Sequence, residues 1–328
     1  MPKKKSVIFI CIIFIALLTL YGCSSNSEAS KEEIPEDSIL KKVTSMTLSK
    51  VDFAQLEELK VAENLEELKI VDLVSSNDDK FNGRFDFASY FPNLDALDVN
   101  TNYNESKGLD LSGLTGTKLR TLTLCAYSST IVSLEPLSEL TNLNYLTMHV
   151  AGSLSLEPIA QCDFLDTIIL SCDNTDITPL ASLPNLRDLR IVRGVEDISG
   201  LSSNRSLRSI LLGTSTTGLE TLSSVPLKYI AANGSPAFKL KQLQELHSVE
   251  EISISDEYID DLTPLYTMEN IKKVNLSVAD GGMGSGIEIT SPEAPELDYL
   301  ETSIPVDQLR DFLKQDGRSL VIFADYNR

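Results

Sequence analysis

Only two histidines, His149 and His247, occur in the 328 residues, and they stand 98 positions apart. Neither lies in an HExxH pair, and no two cysteines stand at metal-ligand spacing, so a zinc centre has no ligand set here. The Gly-rich run GGMGSG at 281–286 lacks the Lys-Ser/Thr of a phosphate loop, and GTSTTG at 213–218 misses the GxSxG spacing of a nucleophile elbow. The acidic clusters Asp78-Asp79 and Asp256-Glu257 with Asp260-Asp261 do not follow the DxDxDG order of an EF-hand loop. They read as solvated loop charge, with calcium binding as the competing account. We therefore assign no catalytic residue, metal ligand or cofactor, and expect a protein that is not an enzyme.

Positive charge and long apolar runs are also scarce. The longest apolar stretch, Val7 to Leu20, has about 14 residues, short of the ~20 that span a bilayer. Lys3, Lys4 and Lys5 precede it and Tyr21-Gly22-Cys23 follow, which is the layout of a secretion signal. Leu20, Tyr21, Gly22 and Cys23 resemble the lipobox of bacterial lipoproteins. That resemblance implies cleavage after residue 22 and a diacylglyceryl thioether on Cys23. The alternative is a plain N-terminal membrane anchor. Either reading places the remaining chain at the cell membrane, facing the extracellular or periplasmic side.

Without the first 22 residues the chain carries 25 basic and 48 acidic side chains, a net charge of −23. Such a surface repels nucleic acid and bare anionic lipid. Residues 23–40 hold five acids against Lys31 and no aromatic residue, the composition of a solvated tether. With Cys11 removed and Cys23 acylated, Cys125, Cys162 and Cys172 remain, an odd number that suits no disulfide framework. We expect them to be small core or edge residues.

What the sequence has in abundance is one repeated unit, typified by Ile177 to Ile191, ITPLASLPNLRDLRI. The first apolar residue of its LxxLxL block recurs at Val43, Leu65, Leu94, Leu119, Leu143, Leu165, Leu186, Leu207, Leu227, Val249, Ile271 and Leu297. Successive steps are 22, 29, 25, 24, 22, 21, 21, 20, 22, 22 and 26 residues. A period in the twenties is the mark of a solenoid whose coils share one core. Within a coil, alternation along a strand turns Leu189 and Ile191 inward beside Leu186, while Asp188 and Arg190 point out. The LxPL-type segments, such as Leu134-Glu135-Pro136-Leu137 and Leu262-Thr263-Pro264-Leu265, fit tight turns or 3₁₀ pieces, because a short repeat leaves little room for a helix.

These blocks resemble the leucine-rich repeat family, and the ITPL spelling resembles the internalin type. The resemblance implies an α/β fold: a right-handed arc of about 12 repeats, with short parallel strands on the concave face and turns on the convex face. It would also place an asparagine three positions after the last core leucine. Here those places hold Ala151, Asp173, Gly194, Ser215, Ser235, Glu257 and Ala279. We assign residues 1–22 to the signal, 23–40 to the lipidated tether, 41–304 to the array and 305–328 to a helix-strand cap. Longer steps mark insertions at 75–87 and 279–292. Val306, Leu309, Phe312 and Leu313 at helical spacing, with Gly317 behind them, would form the cap helix, and 319–324 a closing strand.

Outward positions in the middle of the array are Thr121, Thr123, Tyr145, Thr147, His149, Thr167, Ile169 and Ser171, then Asp188, Arg190, Val192, Leu211 and Tyr229. The first eight carry no fixed charge in a strongly acidic protein. Strand propensity alone can select Thr, Ile and Tyr. A partner-binding face with aromatic anchors and an exposed Ile169 and Leu211 is the other account. The internalin likeness implies protein recognition on that face, so we expect a monomeric, membrane-anchored module for an extracellular or envelope protein, or a glycan. The alternative is a structural or protective envelope protein that binds a component of its own cell.

Overall fold

The computed structural model describes residues 39–74, 83–101, 108–213, 216–233, 240–256, 264–265, 268–278, 299–302 and 321–323. Cys23 and most of the tether, the acidic residues Asp78, Asp79, Glu257, Asp260 and Asp261, residues 75–82 and 279–298, Leu262-Thr263 and the expected cap helix lie outside the described residues.

Each LxxLxL block forms a strand that begins two residues after its anchor. The strands are β1 (Ser45–Leu48), β2 (Glu67–Leu73), β3 (Ala96–Thr101), β4 (Thr121–Ala126), β5 (Tyr145–Val150), β6 (Thr167–Ser171) and β7 (Asp188–Arg193). Then follow β8 (Ser209–Leu212), β9 (Tyr229–Asn233), β10 (Glu251–Asp256), β11 (Lys273–Val278), β12 (Tyr299–Thr302) and β13 (Val321–Phe323). All pair in chain order in one parallel sheet. The twelve anchors account for β1 to β12, and β13 pairs with β12. This is a leucine-rich repeat solenoid.

The core is a column of stacked apolar rungs. Leu186, Leu189 and Ile191 have no exposed surface, and the anchors Leu65, Leu94, Leu119, Leu143, Leu165 and Leu207 are equally buried. Each such side chain contributes roughly 1.5–3 kcal/mol by leaving water, but only against the coils on either side, so the array is stable as a stack.

The convex side is built from 3₁₀ turns. Pro136, Pro158 and Pro179 stand in the first turn of Glu135–Glu139, Glu157–Gln161 and Thr178–Ser182, where a missing N–H costs nothing. A recurring cap also starts these turns. The carboxylates of Asp110, Asp176 and Asp197 accept the backbone N–H two residues on, from Ser112, Thr178 and Ser199, at 2.8, 2.9 and 2.8 Å. Among the described residues the coil between β1 and β2 departs from the pattern: α1 (Phe53–Glu58) is a true helix, started by a capping box in which Asp52 and Gln55 bond each other's backbone N–H at 2.9 Å. That segment lacks the proline of the later turns.

The expected insertion at 75–87 is not all loop. Phe85 and Phe87 are buried with ring centroids 5.4 Å apart, because they fill the interior of a wider coil.

Asparagines do tie the coils together, although not three residues after the core. Asn64, Asn93, Asn185 and Asn270, each directly before an anchor, donate to the carbonyls of Lys41, Glu63, Asp163 and His247 in the preceding coil at 2.6, 2.9, 2.8 and 2.6 Å. At the place the family pattern gives to asparagine, Asp173 accepts the N–H of Gly152 at 2.8 Å and so meets the same need. Buried Asn204 is a further tie. It donates toward Leu180 and Leu183 and accepts the N–H groups of Ser206 and Leu207.

Candidate functional site

In-register pairing sets the outward side chains of the sheet in rows. The first row runs Thr121, Tyr145, Thr167, Asp188, Ser209, Tyr229; the second runs Thr123, Thr147, Ile169, Arg190, Leu211, Ala231. A third holds Cys125, His149 and Ser171, then Arg193 after a one-residue bulge at Val192. Across β4, β5 and β6 these rows contain no charged side chain.

Charge returns on both sides of that strip, and it is already paired. Lys69 Nζ donates to Asp98 Oδ2 at 2.6 Å on the β3 side. On the β7 side, Arg190 Nη2 donates to Asp188 Oδ2 at 2.8 Å, and Ser209 Oγ donates to Asp188 Oδ1 at 3.2 Å. Its bond to Asp188 and that carboxylate's charge hold the Arg190 guanidinium above its usual pKa, against a small opposing effect of burial; Tyr145 and Tyr229 add to the rise. Arg193 Nη1 donates to Asp173 at 2.7 Å, and its Nε donates to Ser171 Oγ at 3.1 Å.

The expected outward residues differ in what they present. Thr121, Thr123, Tyr145, His149, Thr167, Ile169, Asp188, Leu211 and Tyr229 are half-buried, and Arg190 is exposed. Ile169 and Leu211 are therefore less open than a bare strand pattern suggests, because flanking strands about 4.8 Å away crowd each side chain. Thr147 shows only 5% of its surface and Ser171 only 2%. Both face the concave side yet offer almost nothing to a partner, since larger neighbours close over them. The Thr147 hydroxyl and His149 Nδ1 are buried without a hydrogen-bond partner among the described residues.

Sequence reasoning missed Tyr127. It follows the last residue of β4 and is 58% exposed, with its ring 5.4 Å from that of His149. Carrying the alternation Thr121, Thr123, Cys125 one step further would have found it. Burial, with a smaller contribution from the positive charge of Arg193, lowers the His149 pKa, so the imidazole is neutral at physiological pH. His247 is exposed, in the turn that precedes β10.

Cys162 and Cys172 are buried core residues, Cys125 lies half-buried on the concave face, and all three are free thiols. Burial drives the Cys162 thiol up to about 11 and raises the other two. Among the described residues no group of three His, Cys, Asp or Glu side chains could hold a metal ion, and no helix is long and apolar enough to cross a membrane.

The candidate site is thus the concave sheet of a leucine-rich repeat solenoid. No protein-family profile and no curated protein matches the chain. Among solved structures it is similar to an internalin, inlF, from Listeria monocytogenes, at 17% identity over 90% of this chain and 71% of that one, with a TM-score of 0.49. It is also similar to the functional domain of InlJ from Listeria monocytogenes, at 14% identity, 87% and 70% coverage and a TM-score of 0.45. A leucine-rich repeat protein of Leptospira interrogans matches at 15% identity, 86% and 85% coverage and a TM-score of 0.37. The fold assignment rests on the sheet and stacked core of this chain itself.

Proposed function

We propose that the chain is a non-catalytic, membrane-anchored binding module that recognises a protein outside the cytoplasm through the concave faces of β4 to β9. The observation that carries this reading is the uncharged strip over β4, β5 and β6, lying between ion pairs in a protein of net charge −20. A partner covering it desolvates no unpaired ion, which is the costly step in burying a polar surface.

Size defines the part the strip plays. Two strand spacings of about 4.8 Å and four residue rises of about 3.3 Å, from the first outward row to the third, give a patch of roughly 10 by 13 Å. A stable interface covers about 800 Å² on each partner, so the strip is the size of a hot-spot centre and not of a whole contact. Tyr145, Tyr127 and Tyr229 supply aromatic anchors, and the Asp188–Arg190 pair belongs to the polar rim.

The test is capture by the detergent-solubilised full chain. Tyr145→Ala combined with Ile169→Asp should reduce partner capture at least tenfold while the thermal midpoint stays close to wild type. Equal loss of folding and capture, or unchanged capture, would overturn the concave assignment. The anchor is tested separately: fatty-acid label should enter the wild type and be absent from Cys23→Ala, and label retained in that variant would refute lipidation at Cys23.

A further inference from the structure

Where the chain enters the sheet at the start of β3, β4, β5 and β6, a shallow depression of about 570 Å³ is lined by Asp95, Arg120, Thr121, Asn142, Asn144 and Phe164. We infer that it is a carbohydrate-binding subsite for an uncharged oligosaccharide.

The row of polar groups is fixed by the backbone. Arg120 N donates to Asp95 O at 2.8 Å and Asn144 N to Arg120 O at 2.8 Å, so Asp95, Arg120 and Asn144 stack one per coil at about the 4.8 Å strand spacing. Asn144 Nδ2 donates to the carbonyl of Phe164 at 3.0 Å, which leaves its own amide oxygen as an acceptor. Arg120 holds Asp95 through two bonds, Nε at 2.6 Å and Nη2 at 2.9 Å, and keeps further N–H donors for a ligand. Phe164, 59% exposed, is a large apolar ring standing against these groups.

Charge and composition select the ligand class. The one anion and the one cation of the lining neutralise each other, so the depression offers no net charge to an ionic ligand. Five of the six lining residues are polar, which is unlike the apolar centre of a protein interface, where charged side chains are depleted. Planar carboxylate, guanidinium and amide groups beside an open aromatic face match the vicinal hydroxyls and C–H face of a sugar ring. The volume lies within the ~300–1,000 Å³ of small-ligand sites. This subsite adjoins the concave face at Thr121, and its sugar contacts do not depend on the protein-binding role proposed for that face.

The experiment titrates the detergent-solubilised full chain with neutral tetrasaccharides of β-1,4-linked glucose, β-1,4-linked N-acetylglucosamine and α-linked mannose, with sialyllactose as the charged comparison. At least one neutral probe should bind at millimolar concentration or below and more tightly than sialyllactose. Phe164→Ala and Arg120→Gln should each weaken that binding about tenfold or more, a loss of about 1.4 kcal/mol. Both residues are exposed, so thermal midpoints should hold. Ile169→Asp, on the concave face, should leave the titration unchanged. Failure of every neutral probe, survival of binding in Phe164→Ala, or loss of binding in Ile169→Asp would each overturn the subsite. So would loss of protein capture in Phe164→Ala without any sugar binding.

Discussion

Gly194 and Gly116 have nearly the same backbone, with φ of +83° and +78°, but different surroundings, and this separates two physical costs. An added Cβ at Gly116 meets no described atom within 4 Å, so Gly116→Ala should cost only the left-handed backbone term of about 1–2 kcal/mol. At Gly194 the same Cβ would drive into the Cys172 carbonyl of the neighbouring coil and stand 3.0 Å from Asp173 Cα. Backbone cannot rotate away, so the two coils must part by about 1–2 Å to restore ordinary contact. That movement strains Thr175 N–H to Gly194 O at 2.9 Å and Cys172 N–H to Arg193 O at 3.4 Å, each worth about 0.5–1.5 kcal/mol. Gly194→Ala should therefore cost about 2–5 kcal/mol. Urea unfolding followed by far-UV circular dichroism compares the two variants, and amide exchange should speed up at Thr175 in Gly194→Ala alone. Equal midpoints for the two variants would show that coil contact at residue 194 is not limiting.

Two further outcomes follow from buried polar groups. Asn204→Ala should destabilise by about 2–4 kcal/mol, since it leaves the N–H groups of Ser206 and Leu207 without their acceptor; Asn204→Asp, which keeps that acceptor, should lose less in the same urea titration. His149 has a folded pKa below its unfolded value near 6.5, so the unfolded state binds the proton first. Its contribution is fully present above that value and is lost as pH falls below it. Thermal midpoints measured from neutral to mildly acidic pH should therefore fall less steeply in His149→Gln than in wild type, and parallel curves would refute the burial argument.

Much of the fold was legible in the sequence because the solenoid repeats one local rule. Every anchor from Val43 to Leu297 lies two residues ahead of a strand, and anchor spacing with strand alternation places Leu186, Leu189 and Ile191 in the core. The corner asparagines were equally readable, since Asn64, Asn93, Asn185 and Asn270 all precede an anchor. Their position, directly before the anchor, differs from the family pattern, which has its asparagine three residues past the core. Phe85 and Phe87 were misassigned for a different reason: a long step between anchors looks the same whether its residues leave the coil or widen it.

The sequence by itself determined the period, the inward and outward sense of each strand residue, and the uncharged outward positions of β4 to β6, because these depend on residue type and spacing along the chain. Tertiary structure decided how much of each outward side chain remains available. Crowding by adjacent strands removes Thr147 and Ser171 from the surface, while Tyr127 comes to lie beside His149 one coil away. Only stacking brings Asp95, Arg120, Asn144 and Phe164 from four different coils into one depression. Such a grouping depends on the register between coils, which no single repeat contains.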